Sequence, residues 1–399
     1  MTSGAAPWWQ RRLNDTVMAA VQLTRRADPY VRPAFDATLR QPLQDAVQWL
    51  INAGRRDEHL GIAEESIRPG EAADAAAIAD LLEAVTLPKY PPGAMLRAGN
   101  TKTYGVVRGE FTVHDGLPGH LRHGVFAQSR TYPAWVRLSG PGPSAPPDIR
   151  DNGILSIAVK LMGVPGRKLL DDEQHTQDFT ALSAPMFTTP DVAANVQLQR
   201  HLAAGIPILY FLNPGYPGLL NAIMQALYAR THTSPLETPY WSCVPYLLGP
   251  DQAMKYRLTP TTDTRTAVGW NPPDDYLQQA LIHTLHHTDA HFTFDVQLQT
   301  DPHRMPIENA TVIWPEHLAP HQTVATLTIP QQTIDPAEQF HLADRLRYNP
   351  WHALEAHRPL GNQNRARRAI YQQLAQLRQN ANGTTPHEPT AAEPGRTTR

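Results

Sequence analysis

Residues 365–371 read RARRAIY, which sets Arg367 and Tyr371 four positions apart. On a helix those side chains share a face, so the guanidinium can reach the phenol. An arginine donating to a phenolic oxygen favours the phenolate, and a phenolate is a hard anionic ligand for ferric iron. The spacing equally describes an ordinary pair, an exposed arginine lying across a half-buried tyrosine, and the stretch alone does not separate the two. His283, His286, His287 and His291 close a predicted helix, where i, i+4 histidines can share a zinc ion. No HExxH accompanies them and no third ligand is evident, while histidines in a last turn also suit the helix dipole. Cys243, in YWSCVPYLLG, has no basic neighbour in sequence to activate it and reads as a buried structural cysteine.

Composition narrows the class. The chain has 399 residues and a formal net charge of −2, which gives it no general attraction to nucleic acid or anionic membranes. One cysteine excludes an intramolecular disulfide framework, and 38 prolines point to loops and strand ends rather than a helical bundle. No glycine-rich nucleotide motif follows a predicted strand. The N-terminal segment lacks the apolar stretch of a signal peptide, and no apolar run reaches the roughly 18 residues of a membrane span. A cytoplasmic protein without nucleic-acid partners is the expectation.

The elements that must position these groups follow from periodicity. Residues 1–90 read as a helical region packing on the core, with VMAAVQLTRR, LQDAVQWLINAGRR and EAADAAAIADLLEAV as helices and Gly54 and Pro88 as stop signals. After LPKYPPG the period changes to two. In YGVVRGEFTVHD, Val107, Gly109, Phe111 and Val113 face one way and Arg108, Glu110, Thr112 and His114 the other. AWVRLS, ILSIAVKLM, HFTFDVQLQTD and TVATLTIPQ read as further strands, ILSIAVKLM being apolar enough for burial on both faces. Strands this scattered predict an antiparallel sheet that curls or closes. NVQLQRHLAA, GLLNAIMQALYAR and DDYLQQALIHTLHH are helical, and a last helix over about 363–379 carries RARRAIY. Residues 381–399, rich in Pro and Thr, read as a disordered tail.

An ordered set of motifs goes beyond any single piece: RAGN at 97–100, GEFTVHD at 109–115, VRLS at 136–139, AVKL at 158–161, TQDF at 176–179, WP at 314–315, YNP at 348–350, and RARRAIY. In this order, over roughly residues 60–380, the chain resembles the catalase superfamily, in particular its shorter bacterial catalase-related branch. The resemblance implies an α+β fold: a closed antiparallel β-barrel with surrounding helices, here over residues 91–380, with the N-terminal helical layer added. It also implies haem b. Tyr371 then takes the place of the axial tyrosinate on ferric iron, Arg367 that of its hydrogen-bonding arginine, and Arg97 and Arg137 those of arginines that neutralise the haem propionates. Ser139 matches a serine near the distal side.

The chain departs from the pattern where peroxide is handled. The family's R-x-x-H supplies a distal histidine; here that position is Asn100, and Tyr104 is the nearest titratable hydroxyl. Leu182 and Ser183 stand where the family has its distal asparagine, Leu155-Ser156 replaces an R-G pair, and Asn195 replaces a phenylalanine against the porphyrin. The resemblance therefore implies a haem-dependent oxidoreductase, isomerase or lyase acting on an organic substrate or peroxide. Asn100, Ser139 and Tyr104 are its candidate catalytic residues, and hydrogen peroxide dismutation is expected to be weak. The alternatives are a catalase or peroxidase that detoxifies hydrogen peroxide, and a non-catalytic haem-binding or scaffold protein. Family members commonly associate, so a homo-oligomer is an expected partner state.

Overall fold

The computed structural model describes residues 6–140, 142, 144–151, 153–213, 218–262 and 266–391. Three helices come first: α1 (Trp8–Thr38), α2 (Arg40–Gly54) and α3 (Glu71–Thr86). Strands β1 (Thr103–Val113), β2 (Thr131–Ser139), β3 (Ser156–Met162) and β4 (Thr176–Leu182) follow. Then come α4 (Val192–Ala203), α5 (Pro207–Leu212), α6 (Gly218–Tyr228), β5 (Tyr240–Trp241), β6 (Tyr246–Leu247), β7 (Ala253–Pro260) and α7 (Tyr276–His287). The chain continues through β8 (Ala290–Leu298), β9 (Gln322–Ile329), α8 (Pro336–Arg345) and α9 (Asn362–Asn382).

Antiparallel pairing runs β5-β4-β3-β2-β1-β9-β8-β7, and β5 pairs again with β7, which closes the sheet into an eight-stranded barrel with β6 on its rim. Closure removes the free edges that a sheet must otherwise protect. This is the α+β barrel with surrounding helices expected above. Alternation sends Val107, Phe111 and Val113 of β1, and Phe292, Phe294 and Val296 of β8, into the interior. Phe111, Phe126, Phe179, Tyr256 and Phe294 fill that space as an aromatic cluster, edge-on or tilted at 5–6 Å. A barrel of this size is packed with its own side chains, so a binding site belongs on its outer wall. Among the described residues no helix is long and apolar enough to cross a membrane.

The strand ILSIAVKLM is buried on both faces, yet its outer face is polar: Ser156 and Lys160 are buried there. Lys160 pairs with Glu173 and lies 2.8 Å from Asp178, and His352 Nδ1 lies 2.9 Å from Asp178. The backbone N–H of Asn349 also donates to Asp178. This network ties the turn at 348–352 to β3 and β4, and so fixes where α9 begins. Helix α1 extends well beyond its expected span and passes through Pro29 and Pro33. Pro29 has no N–H for the carbonyl of Arg25, and the hydroxyl of Thr231 donates to that oxygen instead. Of the expected tail, residues 392–399 lie outside the described residues; before them Glu388 accepts hydrogen bonds from the backbone N–H groups of Gln174 and His175.

Burial and the neighbouring Lys160 oppose a charge on His352, but Asp172 and Asp178 outweigh them and raise it to about 9. Because this folded value exceeds the ordinary 6.5, the stabilisation is complete below pH 6.5 and lost as pH rises through about 9. Urea unfolding is expected to show a decline over that window, on the order of 3 kcal/mol, that is absent in His352→Gln.

Candidate functional site

The three arginines of RARRAIY separate by partner. Arg365 is held by carboxylates, with Nη1 2.6 Å from Glu65, Nε 2.6 Å from Glu71 and Nη1 2.9 Å from Glu308. It anchors the start of α9, where Gly361 has φ +83° and an added Cβ would lie 2.5 Å from the carbonyl oxygen of Ile307. Arg368 is exposed and lies over the Trp351 ring at 5.1 Å. Arg367 turns to the barrel wall. Its Nη2 donates to Thr180 Oγ1 at 2.6 Å and to the Tyr371 hydroxyl at 3.1 Å, and its Nη1 donates to Asn364 Oδ1 at 2.9 Å. The guanidinium also lies over the Tyr371 ring at 5.1 Å. Burial opposes its charge, yet the phenols of Tyr371 and Tyr246 outweigh burial and hold Arg367 above its ordinary value. Tyr371 is half-buried on the face of α9 that packs toward α3 and α4.

Opposite this helix face the wall is a row of outward residues: Arg137 on β2, Ala158 on β3 and Thr180 on β4 are successive cross-strand partners. Arg137 is buried and donates to Thr103 Oγ1, to Ser139 Oγ at 3.0 Å and to the Asn100 carbonyl. Ser139 and Ser156 hydroxyls lie 3.2 Å apart, and Ser156 donates to Asn100 Oδ1 at 2.9 Å. Asn100 itself has φ +47°, a left-handed conformation that asparagine tolerates better than most residues. The structure thus joins Arg137, Ser139 and Asn100 through one hydrogen-bond chain with Ser156 as the link.

Arg97 reaches the same region from the segment before β1, donating to the carbonyls of Ala343 and Leu346 at 2.6 and 2.7 Å. A third arginine converges there. Arg378, seven positions beyond Tyr371 on the same helix, donates to the Leu346 carbonyl at 3.3 Å. Arg378 was not singled out from the sequence; the i+7 spacing from Tyr371, which returns to the same helix face, is the signal that could have found it. Burial lowers Arg97, burial and then Arg97 lower Arg137 to about 9, and the same two causes, in the same order, lower Arg378. Asp344, 3.5 Å from Arg378 Nε, is the one carboxylate paired with the three in an ion pair among the described residues. Arg378 Nε and the buried Tyr348 hydroxyl have no hydrogen-bond partner. Three enclosed guanidiniums with unused donors fit a ligand carrying two carboxylates, as haem does in its propionates.

The other candidates lie elsewhere. Tyr104 follows a register shift in β1 that turns it into the barrel interior, where its hydroxyl has no partner; burial, then the nearby Asp151 and Asp148, raise it well above its ordinary value. It is therefore not grouped with Asn100 and Ser139. Asn195 Nδ2 donates to Gln363 beside the start of α9. His283 and His287 stack at 4.8 Å on an exposed helix face. Cys243 is buried, and burial pushes its thiol up to about 12. Glu173, Asp178 and His352 are close enough to share a metal ion, but Lys160 already occupies their centre. A cavity of about 1240 Å³ lies between α1–α2 and the end of the barrel, away from Tyr371.

No family model matches the chain, and no curated protein matches it. Among solved structures the chain is similar to a fungal catalase, with 14% sequence identity over 76% of this chain and a TM-score of 0.49. The chain spans about 65% of the length of that catalase.

If the arginine cluster carries unbalanced charge, Arg378→Met stabilises the ligand-free protein by about 1 kcal/mol. Denaturant unfolding of the two proteins measures it, and a loss of stability would show that Arg378 is a structural tie.

Proposed function

We propose that this protein is a haem enzyme in which Tyr371 is the axial ligand of ferric iron, and that it acts on an organic substrate or organic peroxide rather than dismutating hydrogen peroxide efficiently. The observation that carries this reading is the contact between Arg367 and Tyr371, a buried guanidinium paired with a phenol instead of a carboxylate. Negative charge on the phenol oxygen is favoured by that donor, and an anionic axial ligand suits ferric iron. Arg97, Arg137 and Arg378 are assigned to the propionates. Haem b supplies the redox chemistry when bound; the protein supplies ligation, charge balance and orientation.

Asn100 is assigned to orient the substrate. Its side-chain oxygen is taken by the Ser156 hydroxyl, so the amide nitrogen is the end that faces a ligand as a donor. Arg137, Ser139 and Ser156 hold that amide in one orientation. Heterolysis of a bound hydrogen peroxide needs a group that takes a proton from one oxygen and returns it to the other. An amide cannot do this near neutrality, whereas a histidine can. Peroxide dismutation is accordingly slow, and a substrate needing less proton movement is favoured.

Two measurements test the proposal. Purified protein supplemented with haem is expected to show a Soret band, and Tyr371→Phe to lose haem or change its ligand-field bands; an unchanged spectrum removes Tyr371 from the iron. Asn100→His is expected to raise oxygen evolution from hydrogen peroxide by about 10²-fold. No gain in a haem-loaded variant would remove Asn100 from the distal position.

A further inference from the structure

We propose that α1 is a dimerisation helix, whose outward face pairs antiparallel with the same face of a second copy of this chain. Helix α1 is inverted relative to an ordinary surface helix, which turns its apolar stripe to the core. Its buried residues are Asn14, Arg25 and Arg32. They bind the body through polar contacts: Asn14 accepts from the backbone N–H of Ile208, the Arg25 carbonyl from Thr231, and Arg32 donates to the carbonyl of Ala229. Asp28 accepts from the Thr231 N–H on the same side.

The outward face holds the apolar residues. Trp9 is 53% exposed, Leu13 41%, Leu23 75%, Tyr30 63% and Val31 59%, and Thr16, Ala20 and Ala34 are exposed with them. Trp9, Leu13, Thr16, Ala20, Leu23, Ala27, Tyr30 and Ala34 recur at alternating spacings of four and three, the seam of a two-stranded coiled coil, and none is charged. A pattern so regular over most of a 31-residue helix is not the scatter of single apolar residues found on any surface.

The seam is complementary to itself when reversed. With the two-fold axis between residues 21 and 22, Ala34 faces Trp9 of a second copy, Ala20 faces Leu23, Ala27 faces Thr16, and Leu13 faces Tyr30. Three of the four layers set an alanine against a larger side chain, which lets the helices approach closely while filling the gap. Beside the seam Arg26 comes to the level of Asp15 of the second copy, a charge pair made twice by symmetry. Area agrees with a dimer. Trp9, Leu13, Leu23, Tyr30 and Val31 together offer roughly 1,000 Å² over two copies before alanines and threonines are added, the scale at which a specific contact becomes stable.

Sedimentation of the full chain at micromolar concentration is expected to give twice the chain mass. Leu23→Glu, at an exposed position where folding is unaffected, is expected to weaken the dimer about 100-fold with an unchanged circular dichroism spectrum. Asp15→Arg is expected to weaken it, and adding Arg26→Asp to restore it. Mixing Trp9→Cys with Ala34→Cys copies under diamide is expected to give a cross-linked heterodimer. A single chain mass for the wild type, or a dimer that survives Leu23→Glu, overturns the proposal. So does self-cross-linking of Trp9→Cys, which requires parallel helices. A monomer that sediments with anionic phospholipid vesicles assigns the stripe to a membrane surface and overturns it equally.

Discussion

A guanidinium buried without a carboxylate is the constraint around which the site is arranged. Arg367 is divided between the wall, through Thr180, and its own helix, through Asn364 and Tyr371. Neutral acceptors satisfy its donors but leave its charge unmatched, and an unmatched buried charge is costly unless something anionic arrives. The phenol four positions along is the nearest group that can supply it. The height of α9 over the strands, the orientation of Tyr371 and the electrostatic demand of the site all follow from that one shared side chain.

The surrounding charges sharpen this by contrast. Lys160 and Arg365 are also enclosed, yet each meets two or three carboxylates at hydrogen-bond distance. These are structural ties: one fixes the turn at 348–352 and the other the first turn of α9. Arg97, Arg137 and Arg378 gather around neutral carbonyls and hydroxyls with Asp344 at the margin. Folding brings three like charges together there against their mutual repulsion, and a structure tolerates that where a ligand offsets it. The two arginine populations are thus sorted by their partners, and the unbalanced one lies along the helix face that carries Tyr371.

Much of this was legible in residue order. Strict alternation in β1 and β8 placed their inward residues, and the i, i+4 spacing placed Arg367 on Tyr371. Other parts were hidden for identifiable reasons. The segment TQDF is a strand, β4, rather than a loop, because Gln177 and Asp178 are buried in polar networks that mask the period of two. Strand β7 carries Lys255 and Arg257 on its outer face, with Lys255 buried over Trp314 at 5.1 Å. Strands β5 and β6 are two residues each, too short for any period. Tyr104 sits at a register shift, so alternation misreports its side of the sheet. Helix α1 carries on through two prolines because the body satisfies what Pro29 leaves open.

The position of the site on the outer wall bears on its chemistry. The aromatic packing of the barrel leaves no interior space, so a substrate must lie between the strands and the helices α3 and α9. On the wall side the nearest polar groups are hydroxyls and one amide, Ser139, Ser156 and Asn100, joined in a chain that begins at a guanidinium. Arg137 donates into the chain, Ser139 and Ser156 pass the donor sense along, and Asn100 receives it at its oxygen. Every member is thereby fixed as to which end donates. Such a chain orients a bound molecule and stabilises negative charge on it, yet it contains no member able to give up and regain a proton near neutrality. Under the proposed reading, selectivity arises from this arrangement: the iron side is built for an oxidised, anion-ligated metal, and the wall side for positioning without acid–base exchange.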